Sequence, residues 1–232
     1  MKQLSLNIGL LDHVGFSSFY VSPANKELLA LLQTNFWMSF PQLFIFGATA
    51  SGKSHLLQAC CVAAQEVGLS TSYLSLRQLA RYGTTVLDGL DHCALIAVDD
   101  VGLVMRDPEW EAGVFHLINR CRANNQTLLL AAKKNPRDLN CTLPDLESRF
   151  MWGPIYGLEV LNEEEATEAF RLRATLRGFE LADNVLAYIR RRFPKDILSL
   201  IQLLERLDKA SLDRRRKVTV SLIQEIFPVE KT

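Results

Sequence analysis

The run Gly47-Ala48-Thr49-Ala50-Ser51-Gly52-Lys53-Ser54 fits the pattern G-x-x-x-x-G-K-[ST], which suits a loop that holds phosphate. Its glycines let the backbone curl until successive N–H groups face an anion. The helix that follows points its positive N-terminal end at the same place. In this arrangement Lys53 reaches the β- and γ-phosphates and the Ser54 hydroxyl binds Mg²⁺, so the expected ligand is ADP or ATP with its metal. A second part is expected from Leu95-Ile96-Ala97-Val98-Asp99-Asp100, an apolar stretch ending in two carboxylates. Asp99 is the candidate Mg²⁺ partner and Asp100 the candidate for orienting water.

Such a loop works only between a strand and a helix, and the flanking residues supply both. Leu43-Phe44-Ile45-Phe46 is an apolar run of strand length, and the spacing predicts a helix over 53–67 closed by Gly68. Further strands are expected at 71–76, 93–98, 127–132 and 155–160, and further helices at 25–36 and 109–124. The segment 127–132 is almost entirely apolar, which suits a strand buried on both faces. Strands alternating with helices imply βαβ units and a parallel sheet. Beyond Leu161 only helical patterns follow, at 163–176, 182–193, 196–212 and 221–226. The fold class is therefore α/β, a parallel P-loop sheet flanked by helices and followed by a small all-helical domain. The expected divisions are 1–15, 16–161 and 162–232.

Composition narrows the function. Of 232 residues 48% are hydrophobic and 22% charged, as in an ordinary globular protein. Lys plus Arg (26) balances Asp plus Glu (26), which argues against a dedicated nucleic-acid-coating protein though not against a local basic patch; any DNA contact is expected to be indirect or weak. The basic runs Arg190–Arg192 and Arg214–Lys217 read as solvated helix faces, and Trp37 and Trp152 as packing anchors. Five cysteines without a C-x-x-C pair imply reduced thiols, and the four histidines lack metal-ligand spacing. With neither a signal peptide nor a membrane-length apolar run, the expected location is cytoplasmic, with no membrane partner.

Several motifs carry a resemblance: Phe16-Ser17-Ser18-Phe19 followed by Asn25; the P-loop; the box Leu143-Pro144-Asp145-Leu146-Glu147-Ser148-Arg149-Phe150-Met151-Trp152-Gly153; and the segments 176–181 and 207–211. On these the chain resembles the AAA+ ATPases of the DnaA initiator clade, from Gln3 to the C-terminus. The resemblance implies that Phe19 lies beside the adenine, that Arg149 is an arginine finger and that the helical part is a lid. Gln3-Leu4-Ser5-Leu6 looks like the clamp-binding peptide of the clade's initiator-inactivating members, Leu4 and Leu6 entering apolar pockets while Gln3 hydrogen-bonds. No helix-turn-helix follows the lid, so an initiator's DNA-binding module is expected to be missing. Lys133 and Leu198 stand at the usual sensor positions, which implies weak or no ATPase in cis.

The function so implied is regulation of replication initiation. Tethered to the DNA polymerase sliding clamp (beta subunit), the chain would present Arg149 in trans to ATP bound by the DnaA initiator and promote its hydrolysis, inhibiting initiation. Homo-oligomers are also expected as possible partners. The alternatives are a self-assembling AAA+ ATPase of helicase-loader type and a small-molecule P-loop kinase. For Arg149 alone the bland reading is an exposed pair with Asp145 or Glu147.

Overall fold

The computed structural model describes residues 14–34, 41–214 and 218–228, and the side chains of 212–214 lie outside that description. The peptide Gln3–Leu6 and Trp37 also lie outside the described residues. The chain divides into two compact units, Met1–Val160 and Leu161–Thr232.

In the first unit five parallel strands run in the order β2-β3-β4-β1-β5. They are β1 (Gln42–Phe46), β2 (Thr71–Ser75), β3 (Leu95–Asp99), β4 (Thr127–Ala132) and β5 (Ile155–Gly157). Side chains alternate between the two faces, because successive Cβ atoms point to opposite sides of a strand. Leu43, Ile45, Leu95, Ala97, Leu129 and Ala131 meet α1 (Lys26–Gln33) and α2 (Lys53–Glu66). Phe44, Ile96, Val98, Leu128 and Leu130 pack on the other face, with α4 (Pro108–Ala123) and α5 (Pro144–Phe150). All six residues of β4 are buried, which explains its unbroken apolar run. A short α3 (Leu76–Leu79) takes over at Leu76, where the sequence suggested continued strand.

Two elements differ from expectation. The last strand stops at Gly157, three residues before its predicted end. Asn25 explains this: its amide donates to Glu159 O (3.1 Å) and accepts from Glu159 N (3.0 Å), drawing the chain off the ladder. Helix α5 was not foreseen, because seven residues with only Leu146 and Phe150 buried show too little periodicity. Its local signals are Pro144 at the first helical position and Asp145 and Glu147 in the first turn.

The second unit holds α6 (Glu163–Leu176), α7 (Asp183–Arg192), α8 (Ile197–Arg214) and α9 (Val220–Ile226). Asn162 caps α6 by accepting from Glu164 N and Glu165 N, while Glu165 returns a bond to Asn162 N. Phe170, Ala174, Ile189, Leu204, Leu207 and Ile223 are almost fully buried. Among the described residues no helix is long and apolar enough to cross a membrane.

Candidate functional site

All strands point the same way, so the ends of β1 and β3 emerge at one edge of the sheet, where open α/β folds bind ligands. The P-loop leaves β1 there. Two of its glycines are required by space: a Cβ on Gly47 would lie 2.3 Å from Leu158 O, and one on Gly52 would lie 2.7 Å from the Phe19 ring. Gly52 (φ +102°) and Ala50 (φ +69°) both adopt left-handed backbone, which curls the loop. The N–H groups of Ala50, Gly52, Lys53 and Ser54 have no hydrogen-bond partner among the described residues. Unpaired donors at the start of a fourteen-residue helix are what an anion binds.

Lys53 sits inside this curl. Its ammonium donates to Gly47 O (2.8 Å), Ala48 O (2.8 Å) and Ser51 Oγ (3.3 Å). Burial lowers the Lys53 pKa; Asp99 and Asp100 oppose that shift, and Lys133 and Arg77 reinforce it. A buried cation whose acceptors are neutral gains most from an incoming negative charge. The loop therefore fits a polyphosphate: N–H donors, one ammonium, and glycines where a side chain would obstruct.

The predicted residues fall in two groups. Gly47, Ala48, Thr49, Ala50, Ser51, Gly52, Lys53 and Ser54 form the curl, with Ser54 exposed on the first turn of α2. Phe19 is brought to the same place, packed against Gly52 and edge-on to His55 at 5.4 Å. His55 in turn donates from Nε2 to Gly15 O (2.9 Å), fastening the segment before Phe19 to α2. Asp99 is 1% exposed, and both its oxygens are engaged: Oδ2 accepts from Tyr73 Oη (2.9 Å) and Oδ1 from Asp100 N (2.8 Å). Asp100, left-handed at φ +60°, pairs with the exposed Arg77 at 2.9 Å. Burial, followed by the Asp99 charge, pushes the Tyr73 hydroxyl pKa well up.

Arg149 forms the second group, at the other end of β1. Sequence reasoning expected a rigid turn with an outward guanidinium; the structure instead puts Arg149 in the last turn of α5. Its Cζ lies 4.0 Å from the centroid of Trp152 and 5.3 Å from that of Phe115, and Arg122 lies over Trp152 at 4.1 Å. The pairing with Asp145 or Glu147 is not formed, and the buried Nε has no hydrogen-bond partner among the described residues.

Both ends of α5 are pinned by residues the sequence did not single out. The fully buried Glu111 accepts from Arg106 N (2.8 Å), Thr142 N (2.9 Å), Thr142 Oγ1 (2.6 Å) and Leu143 N (2.7 Å). Gln42 Nε2 donates to Arg149 O (2.8 Å) and Phe150 O (3.2 Å). Among the described residues no group of three or more His, Cys, Asp and Glu could hold a metal by itself. The thiols of Cys61 and Cys121 are pushed up to about 12 by burial, which leaves them protonated and inert.

A curled P-loop at the end of a central strand, a carboxylate at the end of β3 and a separate helical unit define an AAA+ nucleotide-binding protein with a lid. Residues 10–157 match the bacterial DnaA ATPase domain, and residues 163–227 match the Hda lid domain. The chain belongs to the bacterial DnaA ATPase-domain family, as an Hda-like member. Domain III of the Thermotoga maritima replication initiation protein DnaA superposes with TM-score 0.73 at 20% identity, over 92% of this chain and 95% of that one. AMPPCP-bound DnaA from Aquifex aeolicus gives 0.69 at 21%, over 89% of this chain and 69% of that one. The Thermotoga maritima RuvB branch migration motor gives 0.63 at 18%, over 92% and 73%. At these identities the structural likeness establishes the fold.

Proposed function

We propose that this DnaA-related AAA+ protein inhibits replication initiation by supplying Arg149 in trans to ATP bound by the DnaA initiator. The observation that carries the reading is the state of that guanidinium: half-buried, laid over the Trp152 ring and near that of Phe115, paired with no carboxylate among the described residues, on a helix pinned at both ends. A planar fork held this way keeps its donors for two phosphate oxygens. A trans arginine in related phosphoryl transfer is worth ~10³–10⁵ in rate.

The chain's own P-loop then binds ADP or ATP as a structural ligand. Gly47 to Lys53 surround the phosphates, and Phe19 supports Gly52. The AMPPCP-bound relative supports a nucleotide here. Ser54 and Asp99 are the residues the motif offers to an accompanying Mg²⁺, whose chemistry would be to neutralise phosphate charge, but both Asp99 oxygens already accept hydrogen bonds from the chain itself. Exposed Lys133 after β4 and Leu198, 45% exposed on α8, fit weak hydrolysis in cis, and Asp100 engaged with Arg77 agrees with that. Gln3, Leu4, Ser5 and Leu6 would tether the chain to the sliding clamp in the cytoplasm, with DNA contacted only indirectly.

The test measures hydrolysis of DnaA-bound ATP with clamp, DNA and either wild-type protein or Arg149→Ala, with Arg149→Lys and Lys53→Ala alongside. Arg149→Ala should lose at least ~10³-fold of the stimulation while still binding ADP. Arg149→Lys should rescue little, because an ammonium lacks the fork. Lys53→Ala should lose ADP binding. An Arg149→Ala protein as active as wild type would refute the proposal.

A further inference from the structure

The Mg²⁺ place at Asp99 is less open than the phosphate cradle. Asp99 is the last residue of β3 and is 1% exposed. A carboxylate so buried needs compensation, either from a cation or from hydrogen-bond donors. Donors are already there, the Tyr73 hydroxyl on Oδ2 and the Asp100 N–H on Oδ1, and the positive charge comes from Lys53. Tyr73 comes from the neighbouring strand, where β2 pairs it with Ala97. Tyr73, Ala97 and Leu95 pack in the cluster facing α2, and Asp99, two residues on, shares that face. Ser54 and Gln58 of α2 stand beside the same hydroxyl. The phenol thus bonds one of the two side chains that would share a metal and neighbours the other.

We infer that the Tyr73 hydroxyl takes the divalent cation's place at Asp99, so that this chain holds a nucleoside diphosphate with little dependence on Mg²⁺. The inference rests on the nucleotide reading above. Mg²⁺ demands near-octahedral oxygen ligation and keeps several waters, so admitting it means displacing Tyr73 from its bond to a buried carboxylate. A diphosphate does not need that exchange. Its charge meets Lys53 and the free N–H groups of the loop, and it has no γ-phosphate for a metal to bridge.

The experiment is a fluorescent-ADP titration of full-length protein, stripped of nucleotide, in buffer with Mg²⁺ and in buffer with EDTA. For wild type the Kd in EDTA should exceed that in Mg²⁺ by less than about threefold. In Tyr73→Phe the Asp99 oxygen loses its donor and must recruit the cation, so the ratio should rise above threefold, toward ~10-fold. A wild-type ratio of threefold or more overturns the inference, and so does a Tyr73→Phe ratio that stays at the wild-type value. If circular dichroism shows Tyr73→Phe unfolded, the wild-type ratio decides alone. Absence of ADP binding in both buffers refutes the nucleotide reading itself, and this inference with it.

Discussion

Glu111 offers the sharpest test of how the Arg149 helix is held. Replacing it by alanine leaves three backbone N–H groups and the Thr142 hydroxyl without their acceptor. Arg106 and Thr142 are exposed, so water rescues part of the loss, and about 1 kcal/mol per donor is the appropriate figure. Four donors give roughly 4 kcal/mol, from which about 1 is returned because a carboxylate no longer has to be desolvated. The net loss of about 3 kcal/mol corresponds to a fall in Tm of ~6–12 °C for a protein of this size. Glu111→Gln keeps one carbonyl oxygen and should fall between alanine and wild type.

The pH dependence has a definite direction. Burial alone would raise the Glu111 pKa, but its hydrogen bonds outweigh that, and the value lies below the ordinary 4.5. The stability Glu111 contributes is therefore complete above pH ~4.5 and drains away as the pH falls through its folded value. Thermal denaturation followed by circular dichroism at neutral and acid pH should show the gap between wild type and Glu111→Gln narrowing on acidification. A Glu111→Ala protein melting within ~2 °C of wild type at neutral pH would refute this account of the clamp.

Two other perturbations separate the ends of the first unit. Gly47→Ala places a Cβ 2.3 Å from Leu158 O, whereas Gly153→Ala places one 1.9 Å from Gln42 O. Each should cost about 1–3 kcal/mol, but fluorescent-ADP binding should fail only in the first, whereas the second should keep ADP and lose stimulation of DnaA. Leu4→Ala with Leu6→Ala should abolish co-elution with the sliding clamp at unchanged ADP affinity; persistent co-elution would place the tether elsewhere.

How far the sequence could be read follows from how local each signal is. The P-loop, the apolar run of β4 and the helices beyond Leu161 are written in consecutive residues, so period and spacing expose them. Tyr73 and Glu111 have no such signal. Each matters because of a partner from a distant stretch of chain, the Asp99 carboxylate of the neighbouring strand in one case and the loop before α5 in the other. Arg149 lies between these extremes. Its motif is contiguous, yet two of its neighbours, Phe115 and Arg122, come from α4, so the resting place of the guanidinium could not be read from the box alone.

The short strand β1 joins the two groups of residues and gives the first unit a direction. At Gln42 it holds the last carbonyls of α5; at Gly47 it opens into the phosphate loop. Its five residues span ~13 Å, which puts the two sites at opposite edges of the sheet. On the proposed reading one edge gives an arginine and the other holds the chain's own nucleotide. Contacts made through such edges join unlike surfaces, so they build head-to-tail rows rather than closed two-fold pairs. On that reading a DnaA molecule seated at the giving edge would take the place that a second copy of the chain could otherwise fill, and the two would compete for a single berth.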